Sequence, residues 1–216
     1  MGTWTIWGEA DYTEKITRGI VWYGTGSHGG YHVSSTMLKK MPYPLASIGE
    51  PDGVGGAWFE EDCDWAAVVY SFPEHFPPKL IRKDGKDVLY DQYGIAAECL
   101  ANYHWRAWEE ATDIILKPGQ SHSKDEWLFY TENKDRWITT SAIFSTSGKY
   151  KREGYTEVTA ELGGGQFGYY SRRGKWDNTF KQGKVRMLLV PSTEYYPHMV
   201  VSDGNLPVFK YEEVSY

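Results

Sequence analysis

The chain has 216 residues, 41% of them hydrophobic and 24% charged, with a net charge of −6. Such usage is ordinary for a folded soluble protein, and the length suffices to bury a core without disulfide staples. The acidic balance argues against a nucleic-acid binder that neutralises phosphates, and Lys and Arg are too interspersed for a mimic of DNA.

Rings make up 16% of the residues, including 10 Trp and 17 Tyr, which suits either a core or a recognition surface. The two cysteines, Cys63 and Cys99, sit in or beside helical patterns. The N-terminus lacks the apolar run of a secretory signal, and no stretch reaches the ~18 apolar residues of a membrane span. A reduced, cytoplasmic setting away from membranes is expected.

In chain order, residues 4–7 and 18–23 read as strands of β-branched and aromatic residues. The Gly-rich stretch GTGSHGGYH, 24–32, returns the chain into a strand at 31–34. Ser34 or Ser35 caps a short helix to Lys40, stopped by Pro42 and Pro44. Residues 45–57 form a long Gly/Pro loop, a candidate functional surface. Residues 58–72 show two rows at helical spacing, one with Phe59, Cys63, Ala66, Ala67 and Tyr70, the other with Trp58, Trp65, Val69 and Phe72.

After a Pro, Lys, Asp and Gly turn region, residues 91–116 read as one helix, with Ala96, Cys99, Leu100, Tyr103, Ala107, Ala111 and Ile114 on its apolar stripe. SKDE, 123–126, has the form of a capping box for a helix to about Asn133. From Trp137 onward the texture is strands: WITTSAIFS, YTEVTAEL, QFGYY, VRMLLV, HMVV and PVFKY. In YTEVTAEL, Val158, Ala160 and Leu162 alternate against Glu157, Thr159 and Glu161, and Gly163 to Gly165 mark a turn or bulge. The expectation is a single α+β domain over 1–216, an antiparallel sheet on two or three helices. Its helix-rich part covers about 34–133 and its strand-rich part about 137–216.

Three elements, SHGG (27–30), EEDCDWA (60–66) followed by FP (72–73), and LVPSTEY (189–195), together resemble a family of uncharacterised phage and plasmid proteins, a domain of unknown function. The resemblance implies a mobile-element origin and an accessory or counter-defence role, and it transfers no catalytic residue.

The residues themselves offer several chemistries. His28 with Cys63 could form a base and nucleophile, but Glu60, Glu61, Asp62 and Asp64 oppose a thiolate even beside a helix N-terminus worth about half a positive charge. A pairing of His28 with Asp62 or Asp64 would clasp the glycine turn to the helix, or serve as an acid/base site. Metal binding by His28 and His32, with Cys63 or a carboxylate, lacks any diagnostic spacing, so no metal and no cofactor are expected. The glycine pattern is not that of a dinucleotide loop. SRRGK with Tyr169, Tyr170, Arg172, Arg173, Lys175 and Trp176 is the one concentrated basic and aromatic patch, a candidate binding hairpin.

Two functions follow as expectations. The first is a non-enzymatic accessory protein that binds and inhibits a host protein, with defence components among the candidate targets, through the 45–57 loop and the Arg172/Arg173 hairpin. The second is a small hydrolase or transferase acting on a nucleotide, acyl or amide bond, with His28 as acid/base and Asp62, Asp64 or Cys63 in support.

Overall fold

The computed structural model describes residues 3–144, 149–150, 152–164, 185–197, 199–203, 206–207 and 212–214. The candidate hairpin residues Tyr169, Tyr170, Arg172, Arg173, Lys175 and Trp176 lie outside the described residues. The fold is α+β, as the succession of strand and helix patterns implies. The described residues divide into two compact units, one running to Asp125 and the other from Glu126 onward.

The first unit opens with a small hairpin, β1 (Trp4–Thr5) and β2 (Gly8–Glu9), and continues with β3 (Tyr12–Thr17), β4 (Ile20–Gly24) and β5 (Gly29–Val33). Short helices α1 (Ser35–Leu38) and α2 (Tyr43–Ala46) follow, then β6 (Glu50–Pro51), β7 (Ala57–Glu60) and α3 (Trp65–Ser71). A hairpin of β8 (Lys79–Lys83) and β9 (Lys86–Tyr90) precedes α4 (Gln92–Tyr103) and α5 (Trp105–Thr112). The main sheet is antiparallel with order β3-β4-β5-β7-β6. Ile20, Val33, Leu45, Phe59, Ala66, Val68, Val69, Ala96 and Leu100 pack as its core.

Several sequence expectations are corrected here. Residues 57–60 form a strand, because Ala57 and Phe59 are buried while Trp58 and Glu60 are half-exposed, a period of two. The helix therefore starts only at Trp65, and Cys63 lies in the turn before it. The expected helix over 91–116 breaks at His104, whose φ of −123° and ψ of 41° leave the helical region, and Tyr103 and Ile114 are exposed. The turn region after Pro78 is a hairpin whose turn places Asp84 and Gly85 at φ of 49° and 77°. The 45–57 loop is organised by Asp52, whose carboxylate accepts the Val54 and Gly56 amides, both at 2.8 Å, and meets His32 Nε2 at 2.9 Å. Burial opposes the charge on Asp52, but the His32 contact and both amides outweigh it and hold its pKa below the ordinary value.

The unit division falls within α6 (His122–Glu132). This helix forms where the capping signal lies, but Ser121 is the residue that accepts the Lys124 amide, at 3.2 Å. Ser123 instead donates to the Asn102 carbonyl at 2.6 Å. The second unit is built on β10 (Trp137–Phe144), β11 (Tyr155–Leu162), β12 (Val185–Pro191), β13 (Val200–Asp203), β14 (Leu206–Pro207) and β15 (Glu212–Val214). They form an antiparallel sheet of order β14-β13-β10-β11-β12-β15, separate from the first sheet. Val158 and Ala160 join Leu188, Val190, Met199 and Val201 in its core. Gly163 and Gly164, with φ of 69° and 77°, make the turn the sequence marks after Leu162. Glu157, placed by alternation on the polar side, is buried and accepts the Lys149 and Tyr150 amides at 2.8 and 2.5 Å.

A candidate binding cleft beside the SHGG turn

Antiparallel pairing of β5 with β7 brings the SHGG and EEDCDW motifs together. Gly30 lies opposite Glu60 and Tyr31 opposite Phe59, and one step on the Glu61 amide donates to the Gly29 carbonyl at 3.0 Å. Gly30 permits this approach, since a Cβ there would run into the Phe59 carbonyl and the Trp7 ring. Glu61 returns the contact from its side chain, accepting the Gly29 amide at 2.6 Å.

His28 sits at the rim of this joint with its side chain 52% exposed. Its Nδ1 lies 3.7 Å from Glu60 Oε1 and 3.5 Å from Glu61 Oε1. The expected partners Asp62 and Asp64 are not the ones it meets. Asp64 instead lies beside His104, Oδ1 to Nε2 3.1 Å, without the alignment of a hydrogen bond, and Asp62 is exposed. The reason is the strand at 57–60, whose end delivers Glu60 and Glu61 to the turn. Burial and the charges of Asp62, Glu61 and Asp64 push the Glu60 carboxyl upward against the stabilising Asp62 amide.

His28, Glu60 and Glu61 offer ligand atoms within 4.8 Å of one another, and they form the one such group of three among the described residues. The ligand set weighed from the sequence, His28 and His32 with Cys63 or a carboxylate, does not assemble, because His32 is not in this group. His32 is held by Asp52 and packs on Trp58 with ring centroids 4.5 Å apart. The Cys63 thiol is pushed upward by its hydrogen bond to Cys99 and by burial, so it is no ready nucleophile.

Glu61 also lines an open cleft of about 320 Å³ with Glu14, Trp22, Tyr31, Trp65 and Tyr90. Sheet register explains its floor: Glu14 lies opposite Trp22, and Trp22 opposite Tyr31, so one cross-strand row spans β3, β4 and β5. Trp22 meets Tyr31 edge to face at 4.8 Å. Burial, with the charge of Glu14, drives the Tyr31 phenol well above its ordinary pKa, so it stays a neutral donor. Among the described lining residues none is cationic. The sequence reading missed Glu14, Trp22, Tyr31, Glu61, Trp65 and Tyr90 as site residues. The usable signal was the short Arg18-Gly19 turn, which sets the β3–β4 register.

A mixed α+β domain with an acidic, ring-lined cleft is therefore the class of protein at hand. The chain belongs to the DUF7007 family, a domain of unknown function, whose family model matches residues 1–134. That span takes in SHGG and EEDCDWA and stops short of LVPSTEY. No curated protein and no solved structure matches the chain. No helix among the described residues is long and apolar enough to cross a membrane.

Proposed function

We propose that the chain is an accessory protein of a phage or plasmid that binds and inhibits a host protein, with defence components among the candidate targets, in the host cytoplasm. Its contact to that partner is a basic side chain seated in the cleft of Glu14, Trp22, Tyr31, Glu61, Trp65 and Tyr90. The observation that supports this reading is the combination of aromatic walls and carboxylates with no cation among the described lining residues. Ring faces and carboxylates favour an ammonium or guanidinium, each ring contact contributing about 0.5–2 kcal/mol.

Calorimetric titration of the whole chain with short Arg- or Lys-containing peptides tests this. Binding is expected, and at least a tenfold weakening when citrulline or norleucine replaces the basic residue or when Glu61 becomes Gln. Equal binding of the neutral peptides would refute the cationic reading. One observation favours a second reading, hydrolase or transferase chemistry at His28: its imidazole is half-exposed beside Glu60 and Glu61 rather than sealed in the core. A His28→Ala variant that keeps full peptide binding but loses a measurable hydrolysis of nucleotide, acyl or amide substrates would establish it.

A further inference from the structure

The only two cysteines of the chain lie far apart in sequence, yet they meet. Cys63 stands in the acidic turn between β7 and α3, and Cys99 in the middle of α4. Packing of α3 on α4 brings Cys99 against the Cys63 turn, where Cys99 Sγ donates to the Cys63 carbonyl at 3.7 Å. Both residues are partly exposed, so a small oxidant reaches them. Neither takes part in the cleft or in the His28 cluster.

We infer that Cys63 and Cys99 are a redox-modification site, a vicinal dithiol that closes to an intramolecular disulfide under a thiol oxidant such as glutathione disulfide. The Cys63 S–H hydrogen bond draws the Cys99 pKa down against burial and the nearby Asp64 charge, which makes Cys99 the first thiolate. Cys99 Sγ attacks one sulfur of glutathione disulfide, the S–S bond breaks, and one glutathione thiolate leaves and takes up a proton. Cys63 then attacks the mixed disulfide at Cys99 Sγ, the Cys99–glutathione S–S bond breaks, and the Cys63 proton ends on the departing second glutathione thiolate. The protein loses two protons and two electrons, and glutathione disulfide becomes two glutathione molecules.

The bond would tie the turn that follows Glu61 to α4, and so fix that carboxylate at the cleft. This last consequence rests on the function proposed above; formation of the bond does not.

The whole chain is equilibrated in glutathione buffers of graded oxidised fraction, quenched with a thiol alkylator under denaturing conditions, and weighed intact. Two alkyl adducts are expected at the reducing end. At the oxidising end the expected product is a monomer 2 Da lighter with no adduct, restored by dithiothreitol. Cys63→Ser should stop at a glutathione adduct on Cys99, for want of a resolving thiol. Full alkylation of the wild type at the oxidising end, stable glutathione adducts on it, or disulfide-linked dimers would each overturn the inference. Peptide titration of the oxidised and reduced forms reports separately on the cleft.

Discussion

Replacing Gly30 by alanine tests the joint on which the site depends. A Cβ at this position would overlap the Phe59 carbonyl, lie 2.5 Å from Trp7 Cη2 and 3.0 Å from the Phe59 carbonyl carbon. Ordinary contact begins near 3.4 Å, so β5 and β7 must part by about 1 Å where Gly30 faces Glu60. Two of the three obstacles are backbone atoms of the neighbouring strand, which cannot rotate away. Overpacking of this kind costs about 1–3 kcal/mol, and each ladder hydrogen bond stretched beside it costs about 1 kcal/mol more. A loss of about 3 kcal/mol is expected, roughly a hundredfold in the unfolding equilibrium. Gly29→Ala is the internal control: its Cβ meets Trp22 Cζ2 and the Tyr23 carbonyl only at 3.1 Å, and about 1 kcal/mol is expected. Urea unfolding followed by tryptophan fluorescence gives both values, and amide exchange at Tyr31 and Phe59 localises the opening. If Gly30→Ala proved no costlier than Gly29→Ala, the close approach of the two strands would be refuted.

Lys124 donates to Glu109 Oε1 and to the Leu116 carbonyl, both at 2.6 Å, and its side chain is only 12% exposed. Lys124→Met leaves the Glu109 carboxylate inside without its counter-charge, so about 3 kcal/mol of stability is expected to go. The double variant with Glu109→Gln should be more stable in urea than Lys124→Met alone, and a double variant that is weaker still would contradict the ion-pair account. For Asp52 the folded pKa lies below the unfolded value of 3.8. Its charged form therefore stabilises the fold above the unfolded pKa, and that contribution disappears as pH falls through the folded pKa. The stability gap between wild type and Asp52→Asn should be full near pH 6 and shrink below about pH 4; a gap constant from pH 2 to 6 would count against the His32–Asp52 linkage.

In the second unit β11 was readable because of its period of two: Val158 and Ala160 are buried as the alternation requires, whereas QFGYY and all of PVFKY but Pro207 lie outside the described residues. Even there Glu157 escapes the pattern, since backbone amides of 149 and 150 supply the hydrogen bonds that water would otherwise give. The β8–β9 hairpin escaped notice for the opposite reason. Its Asp84-Gly85 turn was visible, but its flanks are exposed and charged and show no apolar alternation. The break at His104 left no trace in the apolar stripe, because Ala96, Leu100 and Ala107 are buried on both sides of it.

The site itself turned on the period assigned to a few residues. Read as helix, residues 58–65 put Asp62 among Trp58, Trp65 and Val69 and make it the natural mate for His28. Read as strand, the same residues end at Glu60 and pass Glu61 directly across from Gly29, so the imidazole meets a different pair of carboxylates. Local spacing fits both, because Phe59, Cys63, Ala66 and Tyr70 satisfy a helical row whether or not the chain is helical at its start. What separates them is non-local. Gly30 has no Cβ, and the room is taken by the Phe59 carbonyl of the partner strand and by the Trp7 ring. The glycine pair of SHGG is thus the mark of a backbone neighbour, and the acidic motif, ending in a strand, is that neighbour.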